Sequence, residues 1–280
     1  MSTDSQDEDA LPVRAPRSSR GGRHRRSQPL ATPTTGSPLV LAVPGARRAA
    51  YAETITEIGS LTGADYPGTS VRVGYLEGDE ANLATVLADL DETQDEGAPA
   101  AVVVPLIAGP DPQVSTALQD AVTASGVSVT FTDPLGPHPL LAEALHVRLA
   151  EAGLARADRI RLLSVITAAD GVIVVTTGGA EAVQAAGITA VLLASRLAVP
   201  VVPAALGETS GGTPGVSDAV AQLREAGASR PALAPCLIGP EAGSHLLADA
   251  AAEIGAECAE PLGAHPAVAK LVSLRYGNVL

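Results

Sequence analysis

Aromatic residues are scarce in this sequence. They make up 2% of its 280 positions, with four Tyr, one Phe and no Trp. Large aromatic rings therefore cannot dominate a hydrophobic core, and Ala, Val and Leu must fill it. Hydrophobic residues still amount to 46% of the chain, which is enough for two buried cores in two domains of ordinary size.

Cysteine and long apolar runs are also lacking. Cys236 and Cys258 are the only cysteines, too few for a disulfide framework and not spaced as a zinc knuckle. We therefore expect both side chains to act as small buried hydrophobic groups. No apolar run approaches the roughly 20 residues of a membrane helix. The stretch Pro38–Pro44 is too short for a secretory signal, and two arginines follow it at once. The composition predicts a cytoplasmic protein without a membrane span.

The charge of the chain is divided unevenly. Residues 1–36 carry six Arg against four acidic residues, a net charge of +2. Because the whole chain has a net charge of −13, residues 37–280 together carry −15. A field of that sign repels polyphosphates and excludes a nucleic-acid partner for the folded part. Because residues 1–36 are rich in Ser, Pro, Gly and Arg, we predict a disordered tail there.

One segment occurs twice at domain-sized spacing. PLGPHPLLAEAL at Pro134–Leu145 returns 127 positions later as PLGAHPAVAKLV at Pro261–Val272. Such a repeat predicts two copies of one fold. Within it, His138 and His265 each precede a Pro at a predicted helix start, where an imidazole can cap or pack. A structural role is the prediction for both, with substrate contact as the alternative.

Short β-branched runs alternate with longer Ala/Leu-rich stretches along both copies. The predicted strands are Leu39–Val43, Ser70–Leu76, Ala100–Leu106, Val127–Thr132, Gly171–Thr177, Val199–Leu206, Pro231–Ile238 and Glu257–Pro261. The predicted helices are Ala49–Gly63, Glu80–Leu90, Val114–Ala124, Pro139–Ala152, Arg156–Ala169, Ala180–Leu197, Val216–Ala226, Gly243–Ile254 and Pro266–Arg275. The fold class is α/β, with two similar doubly wound parallel-sheet lobes over 37–153 and 154–280.

In such sheets, ligands bind outside the carboxyl ends of the strands. The glycines near these ends match neither the dinucleotide fingerprint nor the Walker pattern, so nothing supports a nucleotide site. The cluster Thr209–Gly212 is not a strand-to-helix nucleophile elbow, which argues against a hydrolase.

The strand ends resemble the sirohydrochlorin chelatase family, in its long two-lobed actinobacterial form. The resemblance covers roughly residues 37–277 and depends most on the repeated PLG segments, on YLE at Tyr75–Glu77 and on AVVVPLI at Ala101–Ile107. It implies insertion of Co²⁺ or Fe²⁺ into sirohydrochlorin, on the way to siroheme or cobalamin. The divalent metal would be a substrate, and no permanently bound cofactor is implied.

The resemblance assigns roles to particular residues. Family members place a His in an HGS-type turn after the first strand, a Glu after the second and a His after the third. Here Pro44 and Gln113 occupy the two histidine positions, and only Glu77 remains as a metal ligand. Gly45 and Arg47 match the turn, which implies that they bind the carboxylates of the tetrapyrrole. A surface salt bridge is the alternative for Arg47.

Other residues could replace the missing imidazoles. Asp79 and Asp111 flank the expected site and could form an oxygen-rich centre for Mg, Ca or Mn, although solvated loop carboxylates are the simpler interpretation. In the second lobe, Glu208 repeats Glu77, and His245 occupies the position equivalent to Gln113. These two residues form a candidate second metal site, unless His245 only faces solvent.

The sequence leaves three functions open. The first is a sirohydrochlorin chelatase whose activity is weak or absent because both histidines are replaced. The second is a non-catalytic protein that binds a tetrapyrrole or a metal, or that pairs with an active chelatase. The third is a two-lobed small-molecule binder, which only the architecture supports. The oligomeric state is not predicted.

Overall fold

The computed structural model describes residues 37–90, 99–155, 169–207, 212–239 and 244–280, without the side chain of Ser244. Several predictions fall outside these ranges: the disordered tail over 1–36, almost all of the helix over 156–169, and the candidate ligand Glu208. The lobe boundaries at 37–153 and 154–280 stay predictions. We use the name first lobe for the part from β1 to α4 and second lobe for the part from β5 to α8.

The first lobe alternates strands and helices. Its elements are β1 (Leu39–Ala46), α1 (Ala49–Asp65), β2 (Val71–Glu77), α2 (Leu83–Ala88), β3 (Ala101–Pro105), α3 (Pro112–Ser125), β4 (Val129–Phe131) and α4 (Pro139–Glu151). All neighbouring strands pair in parallel, in the order β2-β1-β3-β4. Val40 and Leu41 on β1 are both fully buried, because helices cover both faces of the sheet.

The second lobe has the same order of elements. They are β5 (Gly171–Thr176), α5 (Gly179–Leu197), β6 (Val201–Ala205), α6 (Val216–Glu225), β7 (Pro231–Pro235), α7 (Ser244–Ile254), β8 (Glu257–Cys258) and α8 (Pro266–Gly277). The sheet is again parallel, in the order β6-β5-β7-β8. The predicted fold class of two similar parallel α/β lobes is confirmed.

The largest departures from the predicted elements lie at helix starts and edge strands. Helix α2 is shorter than predicted because Asn82 caps it at 3.0 Å, accepting a hydrogen bond from the backbone N–H of Ala84. Strand β8 pairs with β7 only through Glu257 and Cys258, so it is shorter than the predicted strand at 257–261.

Two histidines start equivalent helices in the two lobes. The backbone N–H of Leu140 donates to His138 Nδ1 at 3.1 Å, and that of Ala267 donates to His265 Nδ1 at 3.1 Å. In both helices a Pro occupies the first turn, where its missing N–H costs nothing. The structure thus gives both imidazoles a structural role, as predicted, and that role is helix capping.

The hydrophobic interior differs from the two cores expected from composition. One central cluster is shared by both lobes: it contains Leu41 and Leu145 from the first lobe, and Val174 and Leu271 from the second. Two smaller clusters lie on the outer faces of the sheets. Helices α1 and α8 pack together, as do α4 and α5, so the inner faces of both sheets contribute to one core.

Helix α5 is long and apolar enough to cross a membrane by length and composition, with a mean hydropathy of 1.2. It is the one such helix in the part of the chain that the structure describes. Here it packs against β5, β6 and α4, and its residues Ala186, Ala190 and Leu193 belong to the central core. Its apolar composition is therefore used in packing the two lobes together.

Candidate functional site

A cavity of about 240 Å³ lies where the carboxyl ends of strands from both sheets meet. The first lobe lines it with Pro44, Gly45, Arg48, Glu77, Ile107, Ala108, Gly109, Asp111 and Val114, and the second with Thr176, Thr177, Cys236 and Leu237. We refer to this cavity as the inter-lobe cleft. Its position agrees with the general rule for ligand sites in open parallel sheets.

The turn at the end of β1 forms one wall of the cleft. Gly45 has a φ of +77°, a left-handed conformation that favours glycine, and the pairing of β1 with β2 is irregular between Val43 and Ala46. Pro44 lines the cleft at the position where the family places an imidazole. Because the proline ring carries no donor or ligand atom, this wall cannot bind a metal through that side chain.

Glu77 is the carboxylate at the end of β2. It is the last residue of that strand, is paired in register with Ala46, and is exposed at the cleft. Its position next to the β1 turn agrees with the placement implied by the family resemblance. A carboxylate there can accept a proton or hydrogen bonds from a ligand.

Asp111 lines the cleft but is already engaged in capping α3. Its Oδ1 accepts hydrogen bonds from the backbone N–H groups of Gln113 at 2.9 Å and Val114 at 3.2 Å. Gln113 itself is exposed in the first turn of α3 and does not line the cleft. The third-strand position thus contributes a helix cap instead of a free ligand.

The two arginines after β1 have different surroundings. Arg47 Nη1 donates to Glu80 Oε1, and its side chain is 42% exposed. Arg47 does not line the cleft, whereas Arg48 does. Burial raises the pKa of the nearby Tyr75 phenol, and the Arg47 charge acts in the opposite direction. The family motif singles out Arg47, but the cleft residue is its neighbour.

The second lobe contributes small neutral side chains to the cleft. Thr176 Oγ1 donates to the backbone carbonyl of Thr177 at 3.1 Å, and Cys236 is 3% exposed. These residues were not among the predicted ligands; the signal that could have found them is their place at the ends of β5 and β7. His245 is exposed on α7 and does not line the cleft. Its predicted partner Glu208 lies outside the described residues, so the second metal site stays a prediction.

The Cys258 thiol has an unreactive environment. Burial raises the pKa of the Cys258 thiol to about 11, and the Glu260 charge acts in the same direction. Cys236 is buried at the wall of the cleft. Among the described ranges, no group of three or more His, Cys, Asp or Glu side chains could hold a metal ion. Glu77 therefore belongs to no such group in the described structure.

Comparison with known proteins agrees with the family resemblance. Residues 38–152 match the family model described as CbiX. No curated protein sequence matches the chain.

Three solved structures share its fold. The sirohydrochlorin chelatase SirB from Bacillus subtilis subspecies spizizenii, in complex with cobalt, is 15% identical over 86% of this chain and 94% of that chain, with a TM-score of 0.59. SirB from Bacillus subtilis with Fe³⁺ is 17% identical over 85% and 94%, with a TM-score of 0.61. CbiX, the terminal enzyme for biosynthesis of siroheme in denitrifying bacteria, is 16% identical over 87% and 99%, with a TM-score of 0.58.

Identities this low show a common fold across both lobes and leave the chemistry open. The family model covers the first lobe, including the β1 turn, Glu77 and the first PLG segment. The first lobe therefore matches the CbiX family, and both lobes share the fold of solved sirohydrochlorin chelatases.

Proposed function

We propose that the inter-lobe cleft binds sirohydrochlorin or a close tetrapyrrole relative, and that the nominal reaction is insertion of Co²⁺ or Fe²⁺ in the synthesis of siroheme or cobalamin. The observation that carries this proposal is the position of Glu77. It lies at the strand ends of a CbiX-family fold, in a cleft lined by both lobes. Solved relatives of this fold contain cobalt or Fe³⁺.

Metal insertion requires a base that removes the pyrrole protons and ligands that hold the ion before transfer. In the described part of the cleft, Glu77 can serve as the base or as a single oxygen ligand. Pro44 supplies neither function, and Asp111 Oδ1 is already occupied as a helix cap. We therefore propose that any insertion is slow and depends on Glu77.

The second candidate is a non-catalytic protein that binds a tetrapyrrole or metal, or that pairs with an active chelatase. It is favoured by the replacement of both family histidines by Pro44 and Gln113. The lack of a three-ligand metal group among the described residues favours its tetrapyrrole-binding and partner forms over its metal-binding form. A cytoplasmic protein that binds this small molecule and no nucleic acid remains our expectation, based on composition and charge.

Purified protein should be mixed with sirohydrochlorin and either Co²⁺ or Fe²⁺, and the absorbance change followed against a control without protein. A chelatase gives a rate above that background, and Glu77→Gln, which keeps the size but loses the negative charge, removes the excess. A background rate together with saturable tetrapyrrole binding supports the non-catalytic candidate. If the protein shows neither a rate above background nor tetrapyrrole binding, both candidate functions are rejected.

A further inference from the structure

Arg48 occupies a position that is unfavourable for the helix it precedes. It is the N-cap residue of α1, a helix of 17 residues, and its side chain makes no capping hydrogen bond. The amino end of a helix carries a partial positive charge, so a cation there is repelled by the helix dipole. Within the described structure, Arg48 also forms no ion pair that would offset this repulsion.

Arg48 is also the one cationic side chain among the residues that line the described cleft. The chain as a whole carries a net charge of −13, and the other charged residues of the lining are Glu77 and Asp111. A ligand with several carboxylates would meet repulsion from both acids. It needs at least one positive group at the place where it binds.

Arg47 cannot supply that group as the structure stands. Its guanidinium is paired with Glu80, and it lies outside the cleft lining. The two neighbouring arginines have the same chemistry, and only Arg48 both lacks an ion pair and lines the cleft. Guanidinium groups bind carboxylates with two parallel hydrogen bonds, which gives them geometric selectivity.

We propose that Arg48 binds a peripheral carboxylate of the tetrapyrrole and determines the selectivity of the cleft for a polycarboxylate macrocycle. This inference rests on the proposed function and deepens it. The residue that the family motif points to, Arg47, is paired with Glu80 in the loop after β2. Arg48 and Glu77 then contact different parts of one ligand. Arg48 binds a carboxylate at its edge, and Glu77 faces the pyrrole N–H groups at its centre.

The test is an absorbance titration of sirohydrochlorin into wild-type protein, Arg48→Ala and the matched control Arg47→Ala. Arg48→Ala should weaken binding by about tenfold to a hundredfold, the range for a lost charged hydrogen bond, while Arg47→Ala should stay within about twofold of wild type. Because the Arg48 side chain caps nothing, its removal should leave the thermal unfolding midpoint unchanged or slightly raised.

A second arm uses sirohydrochlorin with its carboxylates methylated as esters. The ester should bind equally well to wild type and Arg48→Ala, since the anionic partner of Arg48 is gone. Equal affinity of both arginine variants for the free acid, or a loss with Arg48→Ala that is as large for the ester, overturns the assignment.

Failure of the proposed function would give a different result. If wild-type protein binds no tetrapyrrole, benzene hexacarboxylate serves as a polycarboxylate probe without a macrocycle, followed by calorimetry. Binding of that probe to wild type and its loss in Arg48→Ala would support the anion site and reject the tetrapyrrole. Absence of Arg48-dependent binding of both probes would overturn the inference.

Discussion

Arg148 on α4 donates two hydrogen bonds across the lobes to the backbone carbonyl oxygen of Leu262, from Nε at 3.2 Å and from Nη2 at 2.8 Å. The reciprocal pair exists as well: Arg275 Nη2 on α8 donates to the carbonyl oxygen of Leu135 at 3.4 Å. Both arginines follow their own PLG leucine by the same interval. Each lobe therefore uses its copy of the repeat to close the equivalent turn of the other lobe, as in a two-fold symmetric interface.

The two halves of this exchange should differ in strength. Arg148→Ala removes two hydrogen bonds from a charged donor to a half-buried carbonyl, so we expect the free energy of unfolding to fall by about 2 kcal/mol. Arg275→Ala removes one long hydrogen bond, but it also removes a buried Nε that has no hydrogen-bond partner in the described structure. Because the second effect offsets the first, the free energy of unfolding should fall by less than about 1 kcal/mol. Urea unfolding measures both.

Arg196→Ala is the control for a general effect of lost charge, because its contact with Glu143 is 4.0 Å long and exposed. A loss with Arg196→Ala equal to that of Arg148→Ala would contradict the interpretation. So would equal losses at Arg148 and Arg275.

The repeat predicted the two lobes but not how they meet. The spacing of Pro134–Leu145 and Pro261–Val272 indicated duplication, and the parallel sheets followed from the apolar runs. Periodicity carries no information about partners, so it does not indicate the contacts of Arg148 and Arg275. The shared central core was missed for the same reason, since composition counts apolar residues without saying which sheets face each other.

The site was predicted less completely than the fold. The motif indicated the turn at Pro44 and the strand end at Glu77, which follow from strand boundaries, and both residues line the cleft. It selected Arg47, whereas the cleft is lined by Arg48. At a junction between strand and helix, one residue changes the direction of the side chain by a large angle. The cleft residues Thr176 and Cys236 have no distinctive pattern and became visible only through the packing of the second lobe.

Stability should depend on pH through the two capping histidines. Burial lowers the pKa of His138 and His265, and the nearby guanidiniums of Arg275 and Arg148 lower them further. Glu143 and Glu151 oppose this shift at His265. Since each Nδ1 accepts a backbone hydrogen bond, protonation of that atom would break a helix cap.

With folded-state pKa values below the unfolded value of 6.5, the unfolded chain takes up protons first as the pH falls. The contribution of these caps is therefore complete above about pH 6.5 and decreases below it. Urea unfolding between pH 7.5 and pH 5 should show this decrease, and the double variant His138→Asn with His265→Asn should reduce it, because Asn caps without titrating. A decrease as large in the double variant as in the wild type would contradict the prediction.

A close approach between the lobes should make Gly239 sensitive to substitution. A Cβ at Gly239 would overlap with Cε2 of Tyr51, whose ring is buried on α1 of the other lobe. At the equivalent Gly109 the nearest atom would be 3.7 Å away, an ordinary contact with Ala182. We expect Gly239→Ala to destabilise the protein by about 1–3 kcal/mol and Gly109→Ala by less than about 0.5 kcal/mol. Equal unfolding free energies for the two variants would show that Tyr51 moves aside at no cost.

Restoring the two imidazoles tests whether the rest of the family's site is intact. Pro44 lines the cleft and Gln113 does not, so Pro44→His should raise the rate of Co²⁺ insertion more than Gln113→His does. A positioned general base typically contributes about a hundredfold or more, and we expect the double variant to gain at least about tenfold over wild type. Glu77→Gln in the double variant should remove most of the gain, because the carboxylate shares the work with the new imidazole. If the double variant binds sirohydrochlorin as tightly as wild type does and still inserts no metal above background, the cleft geometry has departed from that of an active chelatase at more than these two positions.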